Sequence, residues 1–138
     1  MGRAAVILLD THVLIWADFG LSDLGERALA VIVQASTAGT VAVSAISFWE
    51  AAMLAAKGRI ALPVPPPQWR RALLETGLIE LPVTGDIGIQ ATALEGLHPD
   101  PADRLICATA LHAGATLLTA DAALLGWDGP VQRVDARG

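Results

Sequence analysis

The chain has a single cysteine, no excess of positive charge and no apolar run long enough to cross a bilayer, and each shortage excludes something. With Cys107 alone no internal disulfide can form, and its place in an apolar helical pattern marks a small core residue rather than a reactive thiol. The uninterrupted apolar runs fall far short of the ~20 residues of a membrane helix. Met1-Gly2-Arg3 is followed by six apolar residues before Asp10, too few for the apolar region of a signal peptide. A cytosolic location is therefore expected, with no membrane partner. There is no Cys pair and no helix with two His residues at ligand spacing, which argues against zinc. The formal net charge of −5 argues against an obligate nucleic-acid binder, whose surface is usually basic. If such a chain handles a phosphate polymer, a local basic patch or a bound cation must supply the attraction. Internal repeats, linkers and a second domain are also missing.

What is present is apolar: 54% of the 138 residues, against 17% charged. That suits one domain, residues 1–138, around one substantial core. The chain is organised around Ala5-Val6-Ile7-Leu8-Leu9-Asp10-Thr11-His12. A short continuous apolar run fits a strand buried on both faces inside a parallel sheet. Asp10 then sits where the strand stops and a helix begins. In open α/β sheets, ligands bind outside the carboxyl ends of the strands.

The remaining elements follow in order. His12 to Phe19 has helical spacing and Gly20 ends it; Ser22 starts a second helix, with Asp23 and Glu26 in its first turn and Gly39 closing it. Thr40 to Ser44 is a second strand. Ser47 and Glu50 have capping-box spacing at the head of an Ala-rich helix that ends at Lys57-Gly58. Pro63 to Pro67 is a turn, Gln68 to Thr76 a helix, and Leu78 to Val83 a third strand, placed near an edge by Pro82. Thr84 or Asp86 caps a helix reaching about Leu94. Asp100 is a natural N-cap with Pro101 at the first helical position and Asp103 at the third, opening a helix to Ala113. Thr116 to Thr119 is a fourth strand, Ala122 to Leu125 a short helix, and Val131 to Val134 a fifth strand. Strands alternating with helices imply a parallel sheet with right-handed crossovers and helices on both faces.

This architecture brings acids together. Asp10 ends the first strand, Glu50 lies in the first turns after the second, and Asp121 follows the fourth. Asp103 opens the helix that descends to feed the fourth strand, so it too stands at the carboxyl edge. Each has an innocent reading. Asp10 and Asp121 can cap helices, Glu50 can complete a capping box with Ser47, and Asp103 suits a helix dipole at ~0.3–1 kcal/mol. For Asp86 and Asp135, on the same edge, the innocent reading is kept. Jointly, ionised carboxylates in one place raise one another's pKa values unless a cation intervenes. Carboxylates and water are the ligands Mg²⁺ and Mn²⁺ prefer, and such a site suits phosphoryl chemistry.

Four blocks then carry a resemblance: Leu9-Asp10-Thr11-His12, Ser47-Phe48-Trp49-Glu50, His98 to Arg104, and Leu118-Thr119-Ala120-Asp121, with Lys57-Gly58-Arg59-Ile60 also in place. The chain resembles a PIN domain, specifically the VapC-type toxin ribonucleases of toxin–antitoxin pairs. The resemblance implies a PIN-like three-layer α/β/α sandwich with a five-stranded parallel sheet in the order 3-2-1-4-5. It implies that Asp10, Glu50, Asp103 and Asp121 form a catalytic, Mg²⁺- or Mn²⁺-binding quartet, supported by hydrogen bonds from Thr11, Ser47 and Thr119. It also implies an endoribonuclease that leaves a 5′-phosphate and a 3′-hydroxyl, a homodimer, and a VapB-type antitoxin blocking the acidic pocket.

Arg104 has two readings, a hold on the scissile phosphate or a pair with a nearby acid. Lys57, Arg59, Arg70 and Arg71 are the one local concentration of positive charge and the best candidate track for an RNA backbone. Trp49 and Trp69 suit either base stacking or packing. Three rivals remain. A phosphoacceptor receiver domain also gathers acids at such an edge, but it usually needs an acidic pair near the first strand and a Lys after the fifth. A metal-independent ribonuclease would use His12 with His98 or His112 and leave a cyclic phosphate. A non-catalytic module would use the acids only as caps.

Overall fold

In a computed structural model, residues 5–138 are described; the Met1–Arg3 stretch weighed above as a leader lies outside them. Five strands form one all-parallel sheet: β1 (Ile7–Leu9), β2 (Val41–Ser44), β3 (Ile79–Leu81), β4 (Thr116–Thr119) and β5 (Arg133–Asp135). Their order is β3-β2-β1-β4-β5, as the resemblance implied. Register pairs Leu8 of β1 with Ala42 on one side and Leu117 on the other. The central strands are buried at every residue but Thr116, which is why they read as unbroken apolar runs.

Alternation along β1 splits the core. Ile7 and Leu9 face the layer of α1 (Thr11–Phe19), α2 (Glu26–Ala38), α3 (Ala45–Ala56) and α4 (Pro66–Glu75). Leu8 faces α5 (Gly85–Thr92), α6 (Pro101–Ala113) and α7 (Ala122–Leu125), packing with Ile106, Leu117 and Leu124. Cys107 is buried there, and burial pushes its thiol up to about 12, as a core residue requires. Among the described residues no helix is long and apolar enough to cross a membrane.

Of the boundaries that differ from the sequence reading, four have a clear physical reason. Helix α2 begins at Glu26 rather than Ser22. Its first amides are satisfied from far away: Gly25 N–H donates to Ala136 O (2.8 Å), and Arg27 and Ala28 N–H donate to Gly138 O (3.1 and 3.3 Å). A tertiary contact replaces the side-chain cap. Helix α3 begins at Ala45, two residues before Glu50's supposed capping partner Ser47, because Ser44 is the N-cap and its hydroxyl accepts from Ile46 N–H. Helix α4 starts at Pro66, where a missing N–H costs nothing. Strand β5 is Arg133–Asp135, two residues later than expected; Val131 is buried but lies in the loop before the ladder begins.

Candidate metal centre

The site grows from the end of β1. Asp10 leaves the sheet in an extended conformation and caps α1, its Oδ1 accepting from Thr11 N–H at 2.8 Å. Its Oδ2 accepts from the Thr119 hydroxyl at 2.7 Å, across the β1–β4 junction. Both oxygens are thus engaged in a side chain only 6% exposed. Thr119 Oγ1 also accepts from Asp121 N–H (3.1 Å), so one hydroxyl sets two of the four acids. Asp121 caps α7, its Oδ1 accepting from Ala123 and Leu124 N–H.

Glu50 is positioned from the other side. Thr11 Oγ1 lies 2.5 Å from Glu50 Oε1 and 2.9 Å from Ser47 Oγ. A hydroxyl has one proton, and the carboxylate is the stronger acceptor, so Thr11 donates to Glu50 and Ser47 donates to Thr11. The capping-box reading of Ser47 and Glu50 is therefore corrected: Ser47 is buried in this network, and Glu50 is free of any cap.

Asp103 stands at the third position of α6, with Asp100 as N-cap accepting its N–H at 3.0 Å. A helix N-terminus should lower its pKa. Instead burial, with the charges of Asp10, Asp100, Asp121 and Glu50, raises it to about 8. Burial also raises Asp10 and Glu50, against the hydrogen bonds from Thr119 and Thr11 that lower them. His98 Nε2, a buried atom, lies 3.0 Å from Asp103 Oδ2, yet no N–H points along that line.

All four acids line one cavity of about 350 Å³ at the carboxyl edge, together with Asp100, His12, Trp16 and Arg137. A larger cavity of about 650 Å³, between Glu95 and Trp127, holds none of these groups. The donor set is all oxygen, hard and over-supplied with negative charge, which fits Mg²⁺ or Mn²⁺. Among the described residues no three of these side chains are already gathered into a cation-holding cluster. The acids face a shared space but are tied back to Thr11, Thr119 and the helix amides.

These raised values fix a pH dependence. A carboxyl whose folded pKa exceeds its unfolded value stabilises the fold while protonated, and that contribution is lost as pH rises through the folded pKa. For Asp103 the window runs from the ordinary 3.8 to about 8. The melting temperature in chelator is expected to fall across that window, and saturating Mn²⁺ to flatten the fall. A melting temperature in chelator that climbs steadily over the same range would refute the raised pKa of the buried acids.

Other candidates are placed differently. Arg104 reaches neither a phosphate position nor an acid: its guanidinium donates to the carbonyls of Ala91, Leu94, Leu97 and His98 at 2.8–3.2 Å and to Thr92 at 3.5 Å. Arg70 is forked onto Glu80 at 2.7 and 2.8 Å. Lys57 and Arg59 follow the far end of α3, ~18 Å along a twelve-residue helix from its start. Trp69 is core, its Nε1 donating to Asp18 Oδ2 and its ring edge-on to Phe48, whereas Trp49 is 56% exposed. His112 lines a separate cavity with Leu81 and Thr84. Asp86 is in the first turn of α5 and Asp135 Oδ1 accepts from Arg137 N–H; neither lines the acid cavity. Sequence reasoning missed Arg137, since nothing in its spacing connects it to the acids.

Residues 7–126 match the family description "PIN domain". Ribonuclease VapC22 of Mycobacterium tuberculosis is 39% identical over 116 residues, covering 83% of this chain and 86% of that protein. The fold is similar to that of a toxin-antitoxin complex from Klebsiella pneumoniae (TM-score 0.63, 24% identity, 94% of this chain and 97% of that one). It is also similar to VapBC2 from Rickettsia felis bound to a DNA fragment from its promoter (TM-score 0.64, 15% identity, 94% and 97%). With the acids on one edge of a 3-2-1-4-5 sheet and a match across most of its length, the chain belongs to the PIN domain family and is of the VapC type.

Proposed function

We propose that the chain is a Mg²⁺- or Mn²⁺-dependent endoribonuclease acting as the toxin of a toxin–antitoxin pair, restrained by a VapB-type antitoxin. One observation carries this reading: carboxylates from four separate elements face one cavity, and burial, with the charge of neighbouring acids, raises the pKa values of three of them. The relative named as a ribonuclease and the neighbours named as toxin–antitoxin complexes support it. A homodimer and a cytosolic location belong to the same reading.

Asp10, Asp103 and Asp121 would hold the cation, with Glu50 as the fourth acid. When bound, a divalent cation offsets charge on the phosphate oxygens and acidifies water. The chain's own part is placement. Thr119 and the Thr11 amide keep Asp10 in one orientation, and the Thr11 hydroxyl does the same for Glu50. A phosphoacceptor role suits Asp10 poorly, because both its oxygens are engaged and no Lys lines the cavity.

The test incubates the antitoxin-free protein with a mixed RNA pool, with Mn²⁺ or Mg²⁺ and then with EDTA, and reads the new ends. Cleavage that requires the metal and leaves 5′-phosphates is expected. Cleavage surviving EDTA with cyclic phosphates would move the chemistry to His12 and His98. No cleavage and no metal uptake by calorimetry would leave a non-catalytic binding module.

A further inference from the structure

Among the described residues Arg137 is the one Lys or Arg lining the acid cavity, which it shares with five carboxylates. An arginine so placed should fork onto one of them. It does not. Among the described residues no carboxylate is within ion-pair distance of its guanidinium, and only its backbone N–H is engaged, by Asp135 Oδ1 at 2.9 Å. The guanidinium lies instead over the Trp16 ring, 5.7 Å from its centroid.

The segment carrying Arg137 is pinned on both sides. Ala136 is buried and its carbonyl accepts from Gly25 N–H, while the Gly138 carbonyl accepts from Arg27 and Ala28 N–H. Gly138 N–H closes a turn onto Asp135 O at 3.1 Å. The contact is so close that a Cβ on Gly25 would sit 2.1 Å from Gly138 O and 2.6 Å from the Arg137 carbonyl carbon. Glycine is therefore required there to let the tail lie against the start of α2. The arrangement holds a fully charged, forked donor at the rim of the acids with its N–H groups unspent.

We propose that Arg137 binds the RNA backbone, taking the non-bridging oxygens of a phosphate that flanks the one lying over the carboxylates. The inference rests on the ribonuclease reading. A chain of net charge −5 needs positive charge where the substrate crosses its acids. The other arginines with assigned partners are spent: Arg70 on Glu80, and Arg104 and Arg133 on backbone carbonyls. Stacking on Trp16 holds the guanidinium off the acids and leaves its N–H groups available.

The experiment measures binding of labelled mixed-sequence single-stranded RNA to the Asp10→Asn protein in Mg²⁺, alone and with Arg137→Ala, Arg137→Lys or Gly25→Ala added. Cleavage by wild type and by Arg137→Ala is followed in parallel. Arg137→Ala is expected to weaken binding about tenfold, the scale of one charge-assisted contact. It should also reduce the salt slope by about 0.7, that of one single-strand phosphate. KM rises with kcat nearly unchanged, and Arg137→Lys restores part of the loss. Gly25→Ala, checked for folding by thermal melting, should weaken binding equally, and the two substitutions together should be no worse than either, since both remove one contact. Undiminished binding by Arg137→Ala, with wild-type cleavage intact, would overturn this inference alone. Failure of the Asp10→Asn protein to bind RNA, with no wild-type cleavage, would overturn both readings.

Discussion

Asp10→Asn is expected to lower metal-dependent RNA cleavage more than about a hundredfold, beyond the ten- to hundredfold cost of losing a group that only orients a ligand. The fold should survive. Asn has the same shape, and Asp10 occupies a place where burial already disfavours its charge. An amide offers one acceptor where the carboxylate offers two, so either the Thr11 N–H or the Thr119 hydroxyl loses its partner. That loss of about 1 kcal/mol is set against the removal of a buried charge. In chelator the variant should therefore melt within a few degrees of wild type, while the upward shift that Mn²⁺ gives wild type disappears. Single-turnover cleavage and paired melts with and without Mn²⁺ make the comparison. Activity within threefold of wild type would remove Asp10 from the metal centre. Loss of activity together with a large drop in melting temperature would make its role structural.

Arg104→Ala is expected to cost about 2–4 kcal/mol of stability, because it strips donors from several partly buried carbonyls at once. Those carbonyls belong to the end of α5 and the turn that leads to Asp100 and Asp103, so Arg104 is the brace of the loop that presents them. Arg104→Lys should rescue little, since a single ammonium cannot span carbonyls from Ala91 to His98. The urea midpoint should move, while KM for RNA stays near its wild-type value in the fraction that remains folded. A raised KM with an unchanged midpoint would return Arg104 to the phosphate-holding role considered from its sequence position. The two experiments separate an acid that works in the site from a base that supports it.

The two residues also differ in how they could be read. Asp10 follows an apolar run that can only be a buried strand, and strand ends in such sheets are where ligands bind. Arg104 is adjacent in sequence to Asp103, but adjacent helix positions point about 100° apart. One side chain faces the acids and the other faces the α5 loop. Glu50 shows the reverse case. Capping-box spacing with Ser47 suggested an innocent role, and the true start of α3 at Ala45 removes it. Trp69 and Arg70 looked like parts of an RNA track, yet Trp69 fills core space against Phe48 and Arg70 is claimed by Glu80.

By itself, the sequence determined the alternation of strands and helices, the depth of the central strands and the edge on which the acids gather. These follow from local patterns: apolar runs, Pro and Gly punctuation, and the fixed hand of the crossover. The resemblance added the strand order and the quartet, and the sheet order agrees. The tertiary structure alone decided the rest: which oxygen Thr119 holds, why burial pushes the Asp103 carboxyl up to about 8, where Arg104 spends its donors, and that Arg137 reaches the acid cavity. Each depends on burial or on the meeting of residues far apart in the chain, and neither distance nor dielectric is written in local spacing.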